Sequence, residues 1–460
     1  MSIDTTSTSL VESLRGRVRG RVIGPDDADY DQLRTITTGE YDLHPAAIVR
    51  VVDAADIGAA IAAGRELGLE IAVRSGGHSG AAHGSTAGGL VIDLRELKEL
   101  DIDLDGRTAW AGAGLTAIEV TAPLAEHGLA VGFGDTGSVG IGGITTGGGV
   151  GYLYRKHGLT IDSLLAAEVV TADGAVHQVD ADHEPDLFWA IRGGGGNVGI
   201  VTKFRFRLHD LPGIVGGMLI LPASADTVAG FVAAADAAPD ELSTIANVMP
   251  CPPMPFVPEE RHGEVVIFAM LVWAGDPAAA DAALAPFRRL GTPLADMIHP
   301  GPLTDIYPPE DESYHPTAFA RNFFMDTIDR DDAELMVTQL RASDAAMRVV
   351  QIRVLGGAGS RVPNDATAYG HRSSRIMLNV AAFYEGEADR LVRKAWVEGL
   401  IDGLRQDDDG VYVNFLVDEG EARIRAAYPG ATWDRLAAIK RRYDPENVFH
   451  RNQNVPPAAA

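Results

Sequence analysis

LEIAVRSGGHSG (69–80) runs from a strand pattern into a glycine turn that carries a histidine, and the fold is read outward from it. LEIAVR has the apolar content of a buried strand. SGGHSG cannot continue it, because paired glycines favour turns and close backbone approach. Upstream, IVRVV (48–52) reads as a strand and DAADIGAAIAAGRELG (53–68) as a helix with an apolar stripe. Downstream, GLVIDL (89–94) and TAWAGAG (108–114) read as strands and TAIEVTAPLAEHG (116–128) as a helix. LLAAEVVTADGAVHQV (164–179) reads as a hairpin turning at Asp173-Gly174. DLFWAIRGGGGNVG (186–199) is a short helix entering another glycine turn. IVTKFRFRL (200–208) puts Ile200, Thr202, Phe204, Phe206 and Leu208 on one face of a strand. Short strands alternating with helices over 45–208 signal an α/β or α+β layer built from βαβ pieces. Only GFGDTGSVGIGGITTGGGVG (132–151) fits no regular element.

From about 210 the texture changes. GGMLILP (216–222), EVVIFAMLVW (264–273), RVVQIRVL (348–355) and IMLNVAAFY (376–384) are strand patterns separated by Ala-rich helices and Pro-rich connections, which points to a second domain. CPPMPFVPEERHG (251–263) and PGPLTDIYPP (300–309) are irregular segments of the length that borders binding sites. GVYVNFLV (410–417) and a helical ATWDRLAAIKRRYD (431–444) close the chain.

Composition narrows the function classes. Hydrophobic residues make up 46% of the 460 and charged residues 22%, the balance of a globular chain. Sixty-four acidic against 39 basic residues give a net charge of −25, which repels nucleic acid and anionic membrane surfaces. Cys251 stands alone, so no intrachain disulfide and no cysteine-built metal site is available. We expect no metal, a small-molecule substrate, a monomer or homodimer, and a cytoplasmic setting, since no apolar run has signal-peptide or membrane-span length.

The 52 glycines are the compositional anomaly. A dinucleotide fingerprint of the GxGxxG/A type needs a strand before it and a helix after it. GGGNVG (194–199) precedes a strand and GFGDTG (132–137) precedes more glycine loop. GAGLTA (112–117) joins strand to helix, but the only acid near the expected offset is the loop residue Asp135. Three other glycine turns, at 76–77, 140–151 and 193–196, can form anion-binding nests for a large phosphate-bearing ligand.

At this point VRSGGHSGAAHG (73–84), VGIGGITTGGGVGYLYRKHGLTIDSLL (139–165), EVVTADG (168–174), DLFWAIRGGGGNVGIVTKFRFRL (186–208), YVNF (412–415) and IKRRYDPENVFHRNQNVPP (439–457) resemble the berberine bridge enzyme type of FAD-linked oxidase, in the vanillyl-alcohol oxidase superfamily, and its bacterial members in particular. The resemblance spans nearly the whole chain. It implies an α+β protein with a two-part FAD-binding domain, 1–210 and 410–460. Between the parts lies an inserted substrate domain, 211–409, built on an antiparallel sheet flanked by helices.

It further implies that His78 bonds covalently to the flavin, with Arg74, Ser75, Gly76, Gly77 and Ser79 around the pyrophosphate. Thr136, Val139, Gly140, Gly142, Gly143, Gly147, Gly148, Gly149, Gly151, Gly199, Ile200, Tyr412, Asn414 and Asn452 complete the cofactor site. Many relatives carry a second covalent link from a cysteine at the place of Thr136, so a single link is expected here. Valine at the place of Val139 admits oxygen in plant members, which favours an oxidase. The family's usual GGH is Gly142-Gly143-Ile144 here, and the tyrosine of its GGGYG is Val150.

Alternation places Gln351 and Arg353 together on one face of RVVQIRVL, and Tyr412 and Asn414 together in YVNF. These four are the candidate catalytic residues. Tyr412 is the first candidate for proton abstraction, which requires nearby positive charge such as Arg353 to lower a phenol pKa of ~10. Tyr369, His371 and Tyr307 are weaker candidates, and Asn452 and Asn454 are expected to fix the tail.

The expected reaction is hydride transfer from a small alcohol, amine or secondary metabolite to flavin N5, with O2 reduced to hydrogen peroxide. An oligosaccharide oxidase and a flavin-dependent oxygenating enzyme are the alternatives. A nicotinamide-dependent dehydrogenase using 112–117 and a flavin carrier without turnover are the rival classes.

Overall fold

A computed structural model describes residues 10–307, 309, 311 and 313–459. Strand Ile71–Arg74 ends a four-stranded sheet in the order Arg21–Ile23, Ala47–Arg50, Leu90–Asp93, Ile71–Arg74. The last three strands are parallel, the arrangement a helical crossover produces. That crossover is helix Ala54–Glu66, whose N-cap Asp53 accepts a hydrogen bond from Asp56 N at 2.9 Å. A five-stranded antiparallel sheet follows, in the order Leu100–Asp103, Thr108–Gly112, Ile200–Arg207, Leu164–Val170, Val176–Asp180. In Ile200–Arg207 the alternation works as read, with Ile200, Thr202, Phe204 and Phe206 buried.

The third large sheet is antiparallel throughout its main path: Ala295–Asp296, Ile214–Pro222, Val265–Trp273, Leu242–Pro250, Arg348–Val354, Ile376–Phe383 and Ala318–Met325. Val350, Ile352 and Val354 join Leu378, Val380 and Ala382 in one apolar core with helices Ala225–Asp236, Ala280–Arg288, Arg330–Ala342 and Gly386–Leu404. The odd-numbered residues of Arg348–Val354 therefore face the opposite way. A separate core draws on residues from Leu10 to Leu208, on Ala368 and on Val411 to Val455, so the two ends of the chain share an interior. Buried charges tie the two cores together. Arg372 grips Asp162 bidentately at 2.6 and 2.8 Å, and Arg155 donates to the carbonyls of Leu355 and Ala238. No helix among the described residues is long and apolar enough to cross a membrane.

Three segments differ from the sequence reading. Residues 132–151, expected to be irregular, contain helix Ile141–Thr146. Its glycines hide it from propensity, and long-range partners hold it: Ile141 N donates to Leu115 O at 2.8 Å and Gly142 N to Ser75 Oγ at 3.2 Å. Residues 413–415, expected to alternate as a strand, form a 3₁₀ turn. Tyr412 N is taken by the side chain of Asn322 at 2.7 Å instead of by a neighbouring strand. The segment 300–309 is partly regular, through strand His299–Gly301 and the 3₁₀ turn Leu303–Ile306, while its Pro308 lies outside the described residues.

Candidate active site

Three glycine turns far apart in sequence, together with the segment after residue 411, enclose one cavity of about 400 Å³. The first two turns touch through backbone. A Cβ on Gly76 would sit 2.3 Å from Gly140 N, and one on Gly140 would sit 2.2 Å from Gly76 N. Ser75 Oγ fastens them, donating to Ala113 O at 2.7 Å while accepting from Gly142 N. Gly77, Ser79, Thr136, Val139, Gly143, Gly199, Ile200 and Asn452 also line the cavity. Gly143 has nothing within 4 Å of where a Cβ would stand, so its side is open.

The later glycines of 140–151 do something else. Cβ atoms on Gly147, Gly149 and Gly151 would collide with Asn414 Oδ1, Thr160 Oγ1 and Phe133 O, and Gly148 (φ +122°) backs onto Tyr369. None of the four lines the cavity, which corrects their expected place against a cofactor. Their smallness lets other protein groups approach. GAGLTA behaves alike: Cβ atoms on Gly112 and Gly114 would strike Leu97 O and Leu94 O. The helix after them is capped internally by Thr116 and Glu119, so the nicotinamide reading loses its phosphate site.

Arg74 also departs from expectation. Its guanidinium is 1% exposed, with Nη1 and Nη2 held by Asp93 (3.1 Å) and by the carbonyls of Leu33, Arg34 and Thr35, and Nε without a partner among the described residues. It props up the turn from below, most of its donors already engaged. His78 lines the cavity, half-buried, with its Nε2 2.9 Å from Ser138 Oγ. His83, a lining residue not singled out from sequence, is held neutral by burial and by Arg451, which bring it down to about 4.

Tyr412 and Asn414 do meet, but across the 3₁₀ turn and not along a strand. Tyr412 Oη accepts from Asn414 Nδ2 (2.8 Å), Gly149 N (3.1 Å) and Val150 N (3.2 Å). Burial pushes this phenol above its ordinary value; these three donors and Arg353 pull the other way and do not overcome it. The expectation that Arg353 brings Tyr412 into the neutral range is therefore not met. The 3₁₀ turn also swings Phe415 into the cavity, where it packs on Tyr412 and lies under the Arg353 guanidinium, 4.9 Å from its ring centre.

Arg353 is buried and fully engaged: Nη2 to Asp135 Oδ2 at 2.7 Å, Nε and Nη2 to Gln351 Oε1, and Nη1 to Val150 O. Gln351 reaches the cavity only through it. Asp135 is the main site residue that the sequence does not signal: it sits in a glycine loop whose one recognisable pattern is the offset of a dinucleotide motif. Tyr369 and His371 are buried behind Tyr412, and Tyr307 packs against Gly137. The tail is tied in by Asn452 Nδ2 to Gly196 O, and by Asn197, which donates to Gln453 O and accepts from Val455 N; Asn454 holds Lys440.

The described lining residues include Arg74, Arg353 and Arg451 against one carboxylate, Asp135. Each of these arginines is paired with an acid, Asp93, Asp135 and Glu70 respectively, so in a chain of charge −25 the pocket wall is close to balanced in charge. Glycine walls suit a pyrophosphate, and Val139, Ile144, Val150 and Phe415 suit a flat ring, so the residues fit FAD.

Residues 45–180 match the family model described as FAD binding domain, and residues 411–456 that described as berberine and berberine like. (R)-6-hydroxynicotine oxidase of Paenarthrobacter nicotinovorans is 29% identical over 458 residues, with 96% of this chain and 97% of that protein covered. An uncharacterized FAD-linked oxidoreductase of Bacillus subtilis (strain 168), YgaK, is 30% identical over 456 residues, covering 96% and 98%. The crystal structure of 6-hydroxy-D-nicotine oxidase from Arthrobacter nicotinovorans matches with a TM-score of 0.85 at 28% identity, covering 96% of this chain and 98% of that one. Fold and cavity thus define a flavoenzyme of the vanillyl-alcohol oxidase type. The chain belongs to the berberine bridge enzyme-like FAD-linked oxidoreductases.

Proposed function

We propose that this chain is an oxidase that holds FAD through a single covalent bond to His78 and oxidises a small alcohol, amine or secondary metabolite at the expense of O2. The observation that carries the reading is His78 on the cavity wall, its imidazole steadied by Ser138 at 2.9 Å. Such a fixed ring is suited to act as a nucleophile. A single link is supported by Thr136 on the cavity wall and by Cys251, which is buried elsewhere among Ile220, Val257 and Val266. Residues 211–409 supply the substrate side and the two terminal parts the cofactor side.

Bound FAD supplies the two-electron acceptor. The substrate loses one hydrogen as hydride from carbon and one as a proton from oxygen or nitrogen; dioxygen takes up both electrons and two protons and leaves as hydrogen peroxide. Tyr412 relays that proton: its phenol must first give its own proton to an onward acceptor, and the three donors to its oxygen stabilise the phenolate that then takes the proton of the substrate.

The test is direct. Acid-precipitated protein should stay yellow and fluoresce on a denaturing gel, and His78→Ala should release the colour to the supernatant. Peroxide formation is then screened across alcohols, amines and sugars. Colourless wild-type precipitate would sink the covalent bond, and the absence of peroxide from air-oxidised reduced enzyme would sink the oxidase.

A further inference from the structure

Asp135 is the one carboxylate among the described cavity-lining residues, and the proposed reaction gives it no task. Its partner is a cation that acts on Tyr412. Asp135 Oδ2 accepts from Arg353 Nη2 at 2.7 Å, the acid 26% exposed and the guanidinium 4% exposed. Val150 stands between that cation and the phenol: its N–H donates to Tyr412 Oη at 3.2 Å, and its carbonyl accepts from Arg353 Nη1 at 3.3 Å. Phe415 packs on both, edge-on to the Tyr412 ring and under the guanidinium. None of the Arg353 donors goes to the Tyr412 oxygen; they go to Asp135, Gln351 Oε1 and Val150 O.

Charge decides what this arrangement does. A lone guanidinium beside Tyr412 favours phenolate over phenol. Bound to a carboxylate at 2.7 Å, the same guanidinium is half of a near-neutral pair, whose field falls off much faster with distance. Gln351 and Val150 O carry no charge, so they hold the guanidinium without cancelling it. That leaves the cancelling to Asp135. The other titratable neighbours stay uncharged: Tyr369 lies edge-on to Tyr412 with 6.1 Å between ring centres and is kept a phenol by burial. Tyr152 and Tyr307, near Asp135, are raised by burial first and by Asp135 as well.

We propose that Asp135 is a positioning residue: by claiming the Arg353 guanidinium it keeps Tyr412 a phenol and so sets the pH at which the phenolate forms, a role that rests on Tyr412 handling the substrate proton in the oxidase reading. The ionisation itself is measured without substrate or oxygen.

Holoenzyme is labelled with carbon-13 at the phenolic carbon of tyrosine, and the resonance missing from Tyr412→Phe belongs to Tyr412. In Asp135→Asn its ionisation midpoint should fall by about one pH unit or more, and in Arg353→Met it should rise. Added to Arg353→Met, the Asp135→Asn change should lower the midpoint by at most about half as much, because the carboxylate then has no guanidinium to claim. Asp135→Ser, equally uncharged, takes the place of Asp135→Asn should the amide variant fail to fold. An unchanged or raised midpoint in the uncharged variant overturns the proposal, and a resonance that stays at the phenol position up to unfolding in both proteins counts as unchanged. An equal fall with and without Arg353 overturns it too, since the carboxylate would then act on the phenol directly. Peroxide formation from air-oxidised reduced enzyme is scored separately: its absence removes the oxidase reading and leaves the coupling of Asp135, Arg353 and Tyr412 standing.

Discussion

The side-chain amide of Asn414 donates to the hydroxyl of Tyr412 at 2.8 Å and also reaches Ile144 O at 3.1 Å. One residue thus fixes both the phenol and the end of the short helix that walls the cavity. Gly147 permits this, since a Cβ there would lie 1.9 Å from Asn414 Oδ1.

Removing the phenol should therefore hurt chemistry more than binding. Tyr412→Phe is expected to slow anaerobic flavin bleaching by about 10²-fold or more, in the range of a lost acid–base group. Asn414→Ala, which leaves two backbone donors in place, should cost about tenfold and move the limb in which the rate rises with pH to higher pH, because a donor that favours phenolate is gone. Stopped-flow traces indistinguishable from wild type would remove Tyr412 from the mechanism.

Ser138 should matter for attachment of the cofactor and little for its retention. With the Ser138 contact to His78 lost, Ser138→Ala is expected to form covalent flavin more slowly from apoprotein while still binding FAD. In-gel fluorescence against incubation time reads this; an unchanged time course means that the contact is incidental.

Two glycines, one capping a short helix and one within it, separate space from flexibility. Gly140→Ala drives a methyl to 2.2 Å from Gly76 N, where only backbone could give way, whereas Gly143→Ala meets nothing within 4 Å. The first variant should lose soluble expression or bound flavin. The second should keep its fold and show at most altered flavin affinity. Equal behaviour of the two would contradict the loop contact described above.

Acid should weaken the fold through buried imidazoles. His157, stacked on His209 with 3.9 Å between ring centres, is lowered to about 3, by burial first and then by His209 and Lys156. The unfolded chain binds this proton below about pH 6.5 and the folded chain does not until about pH 3. The stability it contributes is therefore complete above 6.5 and declines as pH falls through that window. Urea midpoints should drop between those limits in wild type and drop less in His157→Gln. A parallel decline in both would assign the acid sensitivity to other groups.

Much of this architecture is local enough to read from the chain. IVTKFRFRL declares its buried face by alternation, and Asp173-Gly174 marks the hairpin of 164–179 because Gly174 adopts φ +82°. What escaped reading depends on partners distant in sequence. Helix Ile141–Thr146 is glycine-rich and exists because Leu115 and Ser75 accept its N–H groups. Phe415 turns inward because Asn322 takes the hydrogen bond a strand neighbour would have made. Asp135 and Arg353 lie 218 residues apart, and no spacing rule links them. The motif at 140–151 does not say which of its glycines line the cavity, since that division is set by Asn414, Thr160 and Phe133 standing behind it.

The tail ties carry a consequence for biosynthesis. Asn197 is clasped by Gln453 and Val455, and Gln453 Nε2 reaches Leu416 O at 2.7 Å. A ribosome delivers the His78 turn early and the opposite wall more than three hundred residues later. A nascent chain that has not reached Tyr412 has only part of the cavity wall. The cavity closes only once the segment after 411 has docked, so a ligand bound across it reports whether that docking has occurred.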